Sequence, residues 1–474
     1  MMNYKPMIVG GLVAALAALG SPSVAASDRS SAGEPAFRAL YKELVETNTT
    51  LSSGSCTLAA ERVATRLRAA GYTDAELTPF AVPEHPKDGG LVAVLPGTDA
   101  KAKAILLLAH IDVVEAKAED WTRDPFKLVE ENGFFYARGA SDDKAMAAIF
   151  ADTMIRLRAG PRPRRTVKLA LTCGEETTDA FNGADWLAQN RRQLIDAAFA
   201  LNEGGGGRLD AQGRPFALSL QVSEKTAQNY TLETHNAGGH SSLPRPDNAI
   251  YQLAGAIDRI AAYRFPVHLD ATTRAFFTRT ARIAPTETAA AMTAIVANPD
   301  DKAADAVLSR DPLYNSTLRT TCVVTLLDAG HAENALPQHA RANVNCRIFP
   351  GETVDGTAQA LGRIVADPGV VVTTKPQRGP ASKAAVLDPA VLGPAETLTA
   401  RRYPGLPLIP MMSTGATDSI YLAAVGIPSY GVPGILREPD GGGIHGLNEH
   451  IRVKSLLDGR DYLYDLIRMY AAAG

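Results

Sequence analysis

Short apolar runs alternate with helical patterns along the first half of the chain, and this alternation limits the fold more than any other feature. Residues 104–110, 166–172 and 197–201 are β-type runs, and the first reads Ala-Ile-Leu-Leu-Leu-Ala-His. Residues 144–157 and 185–192 have helical spacing. Strands that alternate with helices form parallel sheets, and uninterrupted apolar strands are buried on both faces. The sequence therefore predicts an α/β fold whose mostly parallel sheet is covered by helices on both faces.

The pattern changes near residue 226. From there to about residue 376, β-type runs are mixed with helices. The β-type runs are 230–234, 320–328 and 340–348, and the helices are 249–262 and 354–366. A polar, Ala-rich segment, 273–313, has the character of a helical insertion. A chain of 474 residues is too long for one hydrophobic core. We therefore predict one α/β domain from residues 27–226 and 380–474, interrupted by an inserted α+β domain, 227–379.

Residues 1–26 have the three-part pattern of a secretory signal. Lys5 provides a positive start, residues 7–19 are apolar and uncharged, and residues 21–26 are small or Pro and suit cleavage after Ala25 or Ala26. The apolar run is too short for a comfortable membrane span. We predict an exported protein, periplasmic or secreted, without membrane contact after signal cleavage. The formal net charge of −3 gives no reason to expect nucleic acid as a partner.

Four cysteines are too few for a disulfide scaffold, and a chain of this size does not need one. Cys322 and Cys346 lie on two predicted strands, at equal distances from a turn near Asn334. This placement allows a disulfide, and two buried free thiols fit equally well. Cys56 and Cys173 are interpreted as small core residues.

Four clusters of metal-ligand side chains lie at or near the ends of the predicted strands and helices. They contain His110 with Asp112, Asp142 with Asp143, Glu175 with Glu176, and Glu203. Open α/β sheets bind ligands outside the carboxyl ends of their strands. Taken singly, each cluster fits a satisfied histidine, a solvated turn or an acidic helix start. Four in succession predict a metal site instead.

Histidine nitrogen and carboxylate oxygen are the ligands of catalytic zinc, and a two-metal site needs a bridging carboxylate. A general base must reach the attacking water without being a ligand itself. Neighbours at a strand end point in different directions, so one of Glu175 and Glu176 can bind metal while the other acts as the base. The spacing alone leaves open which does which. The glycine run 204–207 lacks the motifs of nucleotide-binding loops, so we do not expect nucleotide binding.

With these clusters in place, the sequence resembles the dizinc metallopeptidase family that includes glutamate carboxypeptidase, succinyl-diaminopimelate desuccinylase, aminoacylase and carnosine dipeptidase. The resemblance covers nearly all of the chain after residue 26, in order. Its motifs are Ala109-His-Ile-Asp112, Ala137-Arg-Gly-Ala-Ser-Asp-Asp-Lys144, Gly174-Glu-Glu176, Asn202-Glu-Gly204, Gly238-Gly-His-Ser-Ser242, Asn334-Ala-Leu-Pro337 and Ile444-His-Gly-Leu-Asn-Glu449.

The resemblance implies a role for each motif residue. His110 and Glu203 would hold one zinc, Glu176 and His445 the other, and Asp142 would bridge the two. Glu175 would be the general base. Asp112 would orient His110, a role that physical argument also supports. The peptide bond between Asp142 and Asp143 is typically cis in this family.

The inserted domain would be the family's lid, which often mediates homodimer formation. His240 would stabilise the oxyanion of the scissile carbonyl, sometimes from the partner subunit. Asn334 and Arg347 match lid positions that bind the substrate's carboxylate, and Arg suits this role through its bidentate fork. Residues 315–322, 330–334 and the 273–313 insertion are most similar to the Gly-X carboxypeptidases and secreted N-acyl-amino-acid hydrolases. His235, His331, His339 and His450 match no ligand position.

These observations predict a hydrolase with two zinc ions, replaceable by cobalt. It would cleave a peptide or N-acyl amide bond of a small substrate with a free carboxylate. Carboxypeptidases or dipeptidases and N-acyl-amino-acid amidohydrolases both recognise the free carboxylate end of their substrates, so both alternatives stay open. Two alternatives come from other classes of protein: a periplasmic solute-binding protein, which needs no metal cluster, and a catalytically inactive metal-binding homologue.

Overall fold

The computed structural model of the chain describes residues 33–177, 181–377, 379–383 and 386–473. The predicted signal segment, residues 1–26, lies outside the described residues. In the part that is described, no helix is both long enough and apolar enough to cross a membrane.

The described residues contain helices α1–α14 and strands β1–β19, numbered in chain order. The helices are Glu34–Glu46, Cys56–Ala69, Lys144–Ala159, Gly183–Asn190, Arg192–Ile195, Ala249–Ala262, Ala271–Thr280, Thr286–Ala297, Lys302–Leu308, Pro312–Leu318, Val354–Val365, Pro389–Arg402, Ser419–Ala424 and Val453–Ala472. The strands are Leu77–Val82, His85–Leu95, Ile105–His110, Val129–Glu131, Phe134–Tyr136, Val167–Thr172, Phe199–Asn202, Gly206–Leu209, Pro215–Glu224, Thr226–His235, Gly239–His240, Thr321–Ala329, Ala335–Leu336, His339–Ile348, Val370–Thr374, Leu408–Ser413, Ser429–Gly431, Leu436–Arg437 and His450–Arg452.

The larger sheet has the strand order β1-β2-β6-β3-β7-β17-β9-β8-β18, with β16 also paired to β9. Its centre, β6-β3-β7-β17, is parallel. Its margins contain the antiparallel pairs β1·β2, β2·β6, β8·β9 and β17·β9. The α/β prediction is confirmed. The margin also contains the parallel pairs β16·β9 and β18·β8. The short connections 83–84 and 210–214 account for the antiparallel pairs β1·β2 and β8·β9, because so short a connection can join only antiparallel neighbours.

Both faces of the central strand β3 are covered. Ile105, Leu107 and Ala109 pack into a core with helices α1, α2, α3 and α14, whereas Leu106 and Leu108 pack into a second core with α4 and α13. Side chains alternate between the faces of a strand, so a strand buried on both faces is apolar throughout. This burial explains why residues 105–109 contain no polar side chain.

The smaller sheet has the antiparallel order β12-β14-β10-β15. Helices α6 and α11 cover one of its faces, where Tyr230, Leu253, Val344 and Leu361 are buried. On the edge strand β12, Leu326 and Leu327 are 68% and 65% exposed. This sheet and its helices lie within the range expected for the lid. The lid boundaries themselves stay a prediction.

The 273–313 segment is helical, as predicted, and forms most of α7–α10. Its apolar side chains do not join the core of the smaller sheet. Phe277, Met292 and Leu308 pack instead with Ala217 of β9 and Ile409 of β16, which belong to the larger sheet.

The four cysteines form two disulfides. Cys322 pairs with Cys346 across the β12·β14 ladder, so the disulfide alternative holds for this pair. Cys56 and Cys173 are buried in the core, as predicted, and they are also bonded to each other, which the sequence did not indicate. They are 117 residues apart, and the fold brings the first turn of α2 next to the residue that follows β6. Local sequence carries no signal for such a contact.

Candidate metal centre

Three parallel strands deliver acidic and histidine side chains to one edge of the larger sheet. His110 is the last residue of β3 and is paired in register with Thr172, the last residue of β6. Glu203 follows β7 directly. The turn after β6 requires a glycine: Gly174 has φ +95°, and a Cβ there would lie 1.8 Å from the carbonyl oxygen of Phe181. This turn places Glu175 and Glu176 at the same edge.

Asp142 lies between two groups of ligand atoms. Its Oδ1 is 3.2 Å from Nε2 of His110, whose Nε2 is also 3.9 Å from Oε1 of Glu203. Its Oδ2 is 3.3 Å from Nε2 of His445, whose Nε2 is 2.7 Å from Oε1 of Glu176. In each group the three ligand atoms lie within 4.8 Å of one another, and Asp142 belongs to both. One carboxylate therefore faces two sets of donors with its two different oxygens.

The loop that carries Asp142 is held by Glu449, which is buried. The Glu449 carboxylate accepts hydrogen bonds from Nη1 of Arg138 and from the backbone N–H groups of Gly139, Ser141 and Asp142, at 2.8–3.0 Å. The Asp142–Asp143 peptide bond is cis, as the resemblance implies. Sequence reasoning assigned no role to Glu449, although it ends the motif that supplies His445.

His445 adopts a backbone conformation that is uncommon for a residue with a side chain. Its φ is +59°, in the left-handed region. Such a conformation costs on the order of 1–3 kcal/mol and occurs preferentially at functional sites. Here it coincides with the approach of the imidazole to Glu176 and Asp142.

Burial and hydrogen bonding shift the pKa values of the cluster in opposite directions. Burial alone would raise the pKa of Asp142, but hydrogen bonds from His110 and His445 lower it well below its ordinary range. Hydrogen bonds to Asp142 and Glu176 raise the pKa of His445 to about 10. Burial raises the pKa of Glu203 to about 7. Packed carboxylates in a dry site are stable when cations neutralise them, which is what bound metal would do.

Asp112 lies beside His110 with one carboxylate oxygen unsatisfied. Its Oδ2 accepts a hydrogen bond from the backbone N–H of Glu176 at 3.0 Å. Its Oδ1 is buried without a hydrogen-bond partner among the described residues and lies 3.6 Å from Nδ1 of His110. The backbone carbonyl of Asp112 is closer to that nitrogen, at 3.2 Å. The Oδ1 atom and the backbone carbonyl oxygen of Asp112 thus lie next to the imidazole of His110, which the resemblance says Asp112 orients.

Glu175 lies in the same cluster. One carboxylate oxygen of Glu175 is within 4.8 Å of ligand atoms of His110 and Glu176. Burial, and then the nearby carboxylates of Glu203 and Asp418, raise the pKa of Glu175 far above its ordinary value. Asp418 is a second buried carboxylate that sequence reasoning missed, and it accepts hydrogen bonds from Asn182 and Thr172. No motif in the sequence indicates it.

Of the three residues predicted on the lid, His240 and Asn334 lie on neighbouring segments, and Arg347 lies apart from them. His240 is exposed on β11, where its Nδ1 accepts hydrogen bonds from the backbone and side chain of Ser242. Asn334 lies on the neighbouring turn, and its carbonyl accepts a hydrogen bond from the N–H of Ser241. Arg347 lies near the other end of the sheet, where burial lowers its pKa. We call His110, Asp142, Glu176, Glu203 and His445 the Asp142 cluster. Across the described ranges, no hydrogen bond or ion pair joins the three lid residues to this cluster.

Fold and site together define a metal-dependent hydrolase of the mixed α/β type. The chain belongs to the peptidase family M20/M25/M40, whose sequence model matches residues 106–469. It is 31% identical over 385 residues to the human N-fatty-acyl-amino acid synthase/hydrolase PM20D1, covering 79% of this chain and 75% of that protein.

Solved structures of this family have the same fold. The M20 metallo-carboxypeptidase Sso-CP2 from Sulfolobus solfataricus superposes with a TM-score of 0.69 at 18% identity, covering 92% of this chain and 99% of that one. The Bacillus subtilis YXEP protein, described as a dinuclear metal-binding peptidase of family M20, has a TM-score of 0.57 at 15% identity, covering 92% and 98%.

Proposed function

We propose that this chain is a two-zinc hydrolase that cleaves the amide bond of a small peptide or N-acyl amino acid with a free carboxylate. The observation that carries the proposal is the position of Asp142, whose two oxygens face two separate groups of His and Glu ligand atoms. A carboxylate shared in this way is what a two-metal hydrolase requires. The names of the relatives, a synthase/hydrolase of N-acyl amino acids and a carboxypeptidase, support the substrate class.

The donors fit zinc. In the proposed arrangement His110 and Glu203 would hold one ion, Glu176 and His445 would hold the other, and Asp142 would contribute to both. Each set would supply three nitrogen or oxygen ligands, the number that catalytic zinc takes from a protein. When bound, the two ions supply Lewis acidity that polarises the scissile carbonyl and makes water a stronger acid. Cobalt has the same preference for these donors and is expected to substitute.

Glu175 moves the proton in this proposal. It is close to His110 and Glu176 but, unlike Glu176, makes no described contact with His445. Its carboxylate accepts a proton from the attacking water and delivers the proton to the leaving amine nitrogen. His240 donates a hydrogen bond to the oxyanion, and Arg347 binds the carboxylate of the substrate. Asn334 lies beside His240 and far from Arg347 of the same chain, so it would reach that carboxylate from the partner subunit. Arg347 has no carboxylate partner among the described residues, which supports a ligand in that role.

The position of His240 supports delivery from a partner subunit. Strand β10 starts at Thr226, two residues after Glu224, which accepts hydrogen bonds from Thr417 next to Asp418. His240 follows the opposite end of this ten-residue strand. Ten residues of strand span about 33 Å. We therefore propose a homodimer formed through the exposed edge strand β12, in which each lid supplies His240 to the other subunit.

Glu175→Gln tests the proposal, because glutamine keeps the size of the side chain but cannot accept the proton. Loss of a general base typically lowers the rate by about 10²–10⁴-fold. We expect kcat to fall by that factor while the zinc content is unchanged. Activity is measured as amine release from a panel of dipeptides and N-acyl amino acids. Glu76→Gln, in the Glu76–Arg158 ion pair, is the matched control and should retain full activity. Near-native turnover by the zinc-loaded Glu175→Gln variant would contradict the assignment.

A further inference from the structure

Two histidines and a glutamate converge on the smaller sheet, outside the Asp142 cluster. His235 ends β10 and His339 begins β14, and the two are cross-strand partners in register. Glu233 lies two residues before His235, on the same face of β10. None of these residues has a role in the proposed hydrolysis.

The three side chains already have the spacing of metal ligands. Nε2 of His339 is 2.7 Å from Oε1 of Glu233, and Nε2 of His235 is 3.1 Å from the same oxygen. The two imidazole centroids are 5.0 Å apart. The three ligand atoms lie within 4.8 Å of one another. Two ligand atoms that each lie ~2.0–2.1 Å from a tetrahedral zinc ion are roughly 3.3 Å apart. The His235–Glu233 distance of 3.1 Å is close to this value, and the His339–Glu233 distance of 2.7 Å is roughly 0.6 Å shorter, so the side chains would move slightly apart on binding an ion.

The group is also open to solvent. The side chains of His235, His339 and Glu233 are 69%, 37% and 35% exposed, so an ion can enter without unfolding, and water can complete its coordination. Two neutral imidazoles and one carboxylate are the ligands that divalent transition metals of the zinc and copper type prefer. We propose that His235, His339 and Glu233 form a third metal site, which binds one zinc or copper(II) ion per chain.

The position of this site indicates what a bound ion would do. Beyond His235 the chain continues to β11, and before His339 it arrives from β13; β11 and β13 form the two-stranded ribbon that carries His240. Between the histidines and the ribbon, a hydrogen bond from the N–H of Asn236 to the carbonyl of Gln338 joins the two segments of the chain. An ion held by His235 and His339 therefore ties the base of the ribbon to the sheet. It would reduce local opening of residues 236–240.

The number of bound ions tests the proposal. The complete protein, saturated with zinc, is equilibrated by dialysis and its zinc is measured by elemental analysis. We expect the His235→Ala/His339→Ala variant to bind one zinc fewer per chain than the wild type. Glu233→Gln should weaken binding of the same ion. His268→Ala is the matched control, because His268 pairs with Glu352 without a second imidazole, and it should retain the wild-type number.

A spectroscopic measurement identifies the ligands. With copper(II) added in excess, so that it replaces zinc at this site, the electron paramagnetic resonance spectrum should show splitting by two imidazole nitrogens, and the double variant should lose this signal. Addition of the ion should slow hydrogen exchange at residues 236–240 in the wild type and leave it unchanged in the double variant. Equal metal content in the double variant and the wild type would overturn the proposal and leave a His–carboxylate hydrogen-bond cluster. The test compares the number of zinc ions per chain between the wild type and the double variant. This difference does not depend on how many ions the Asp142 cluster holds.

Discussion

At the scale of single residues, the account depends on how one carboxylate is shared. The five residues expected to hold metal were predicted from motif positions, and the structure brings their side chains into one cluster around Asp142. The sequence chemistry alone left Glu175 and Glu176 interchangeable. In the structure Glu176 pairs with His445 at 2.7 Å, and this contact supports the division that the family resemblance implied.

The role of Glu449 could not be predicted from the sequence, because its four hydrogen-bond donors come from residues more than 300 positions earlier. We predict that Glu449→Gln weakens zinc binding by about 10–100-fold, the usual effect of changing a residue that orients a ligand. The amide has one acceptor oxygen and presents N–H groups to the backbone donors, so the loop loses its hold on Asp142. Competition with a chromophoric chelator measures this affinity.

Glu76→Gln also removes a partly buried carboxylate from an ion pair, at a distance from the 137–143 loop, and serves as the control for Glu449→Gln. A purely structural role for Glu449 would lower the melting temperature and leave zinc affinity unchanged. That combination would contradict the positioning role.

At the scale of elements, local patterns predicted the helices well. The bounds expected for α6 coincide with those of the structure, 249–262. Strands β8 and β9 were missed. They pair with each other across the 210–214 turn, and each also pairs with a strand that is distant in the sequence. Leu218 of β9 pairs with Leu408 of β16, and Gly207 of β8 with Leu436 of β18. A glycine-rich segment gives no β-type pattern until those partners are known.

The Cys56–Cys173 disulfide connects the start of α2 to the turn that carries Glu175. It closes a loop of 117 residues in the chain, and disulfides that close long loops restrict the unfolded state strongly. We predict that Cys56→Ala/Cys173→Ala lowers the free energy of unfolding by roughly 2–4 kcal/mol. Denaturant unfolding of the oxidised proteins measures the loss. Two free thiols per unfolded wild-type chain, found by thiol titration without reductant, would contradict one of the two disulfides.

At the scale of the whole molecule, the proposed mechanism includes a partner subunit that supplies His240. The strand length between Glu224 and His240 favours a contribution from the partner. Large exposed apolar residues such as Leu326 and Leu327 on an edge strand are typical of an interaction surface.

Co-expression of two inactive variants, Glu175→Gln and His240→Ala, tests this arrangement. If His240 acts in the partner's site, each mixed dimer has one centre with both Glu175 and His240 intact, and activity returns to about half the wild-type value per mixed dimer. Mixed dimers are isolated with two different affinity tags and assayed for amine release. If His240 acts within its own chain, every centre lacks one of the two residues and no activity returns. A monomer by light scattering would contradict the dimer itself.

The measurement that tests the central claim most directly is anomalous X-ray scattering at the zinc absorption edge from crystals of the zinc-loaded protein. The account predicts two peaks on either side of the Asp142 carboxylate, roughly 3.5–4 Å apart, one next to His110 and Glu203 and the other next to Glu176 and His445. A peak at His235 would be separate from these. A single peak in the Asp142 cluster, or none, would contradict the claim that Asp142 bridges two metal ions.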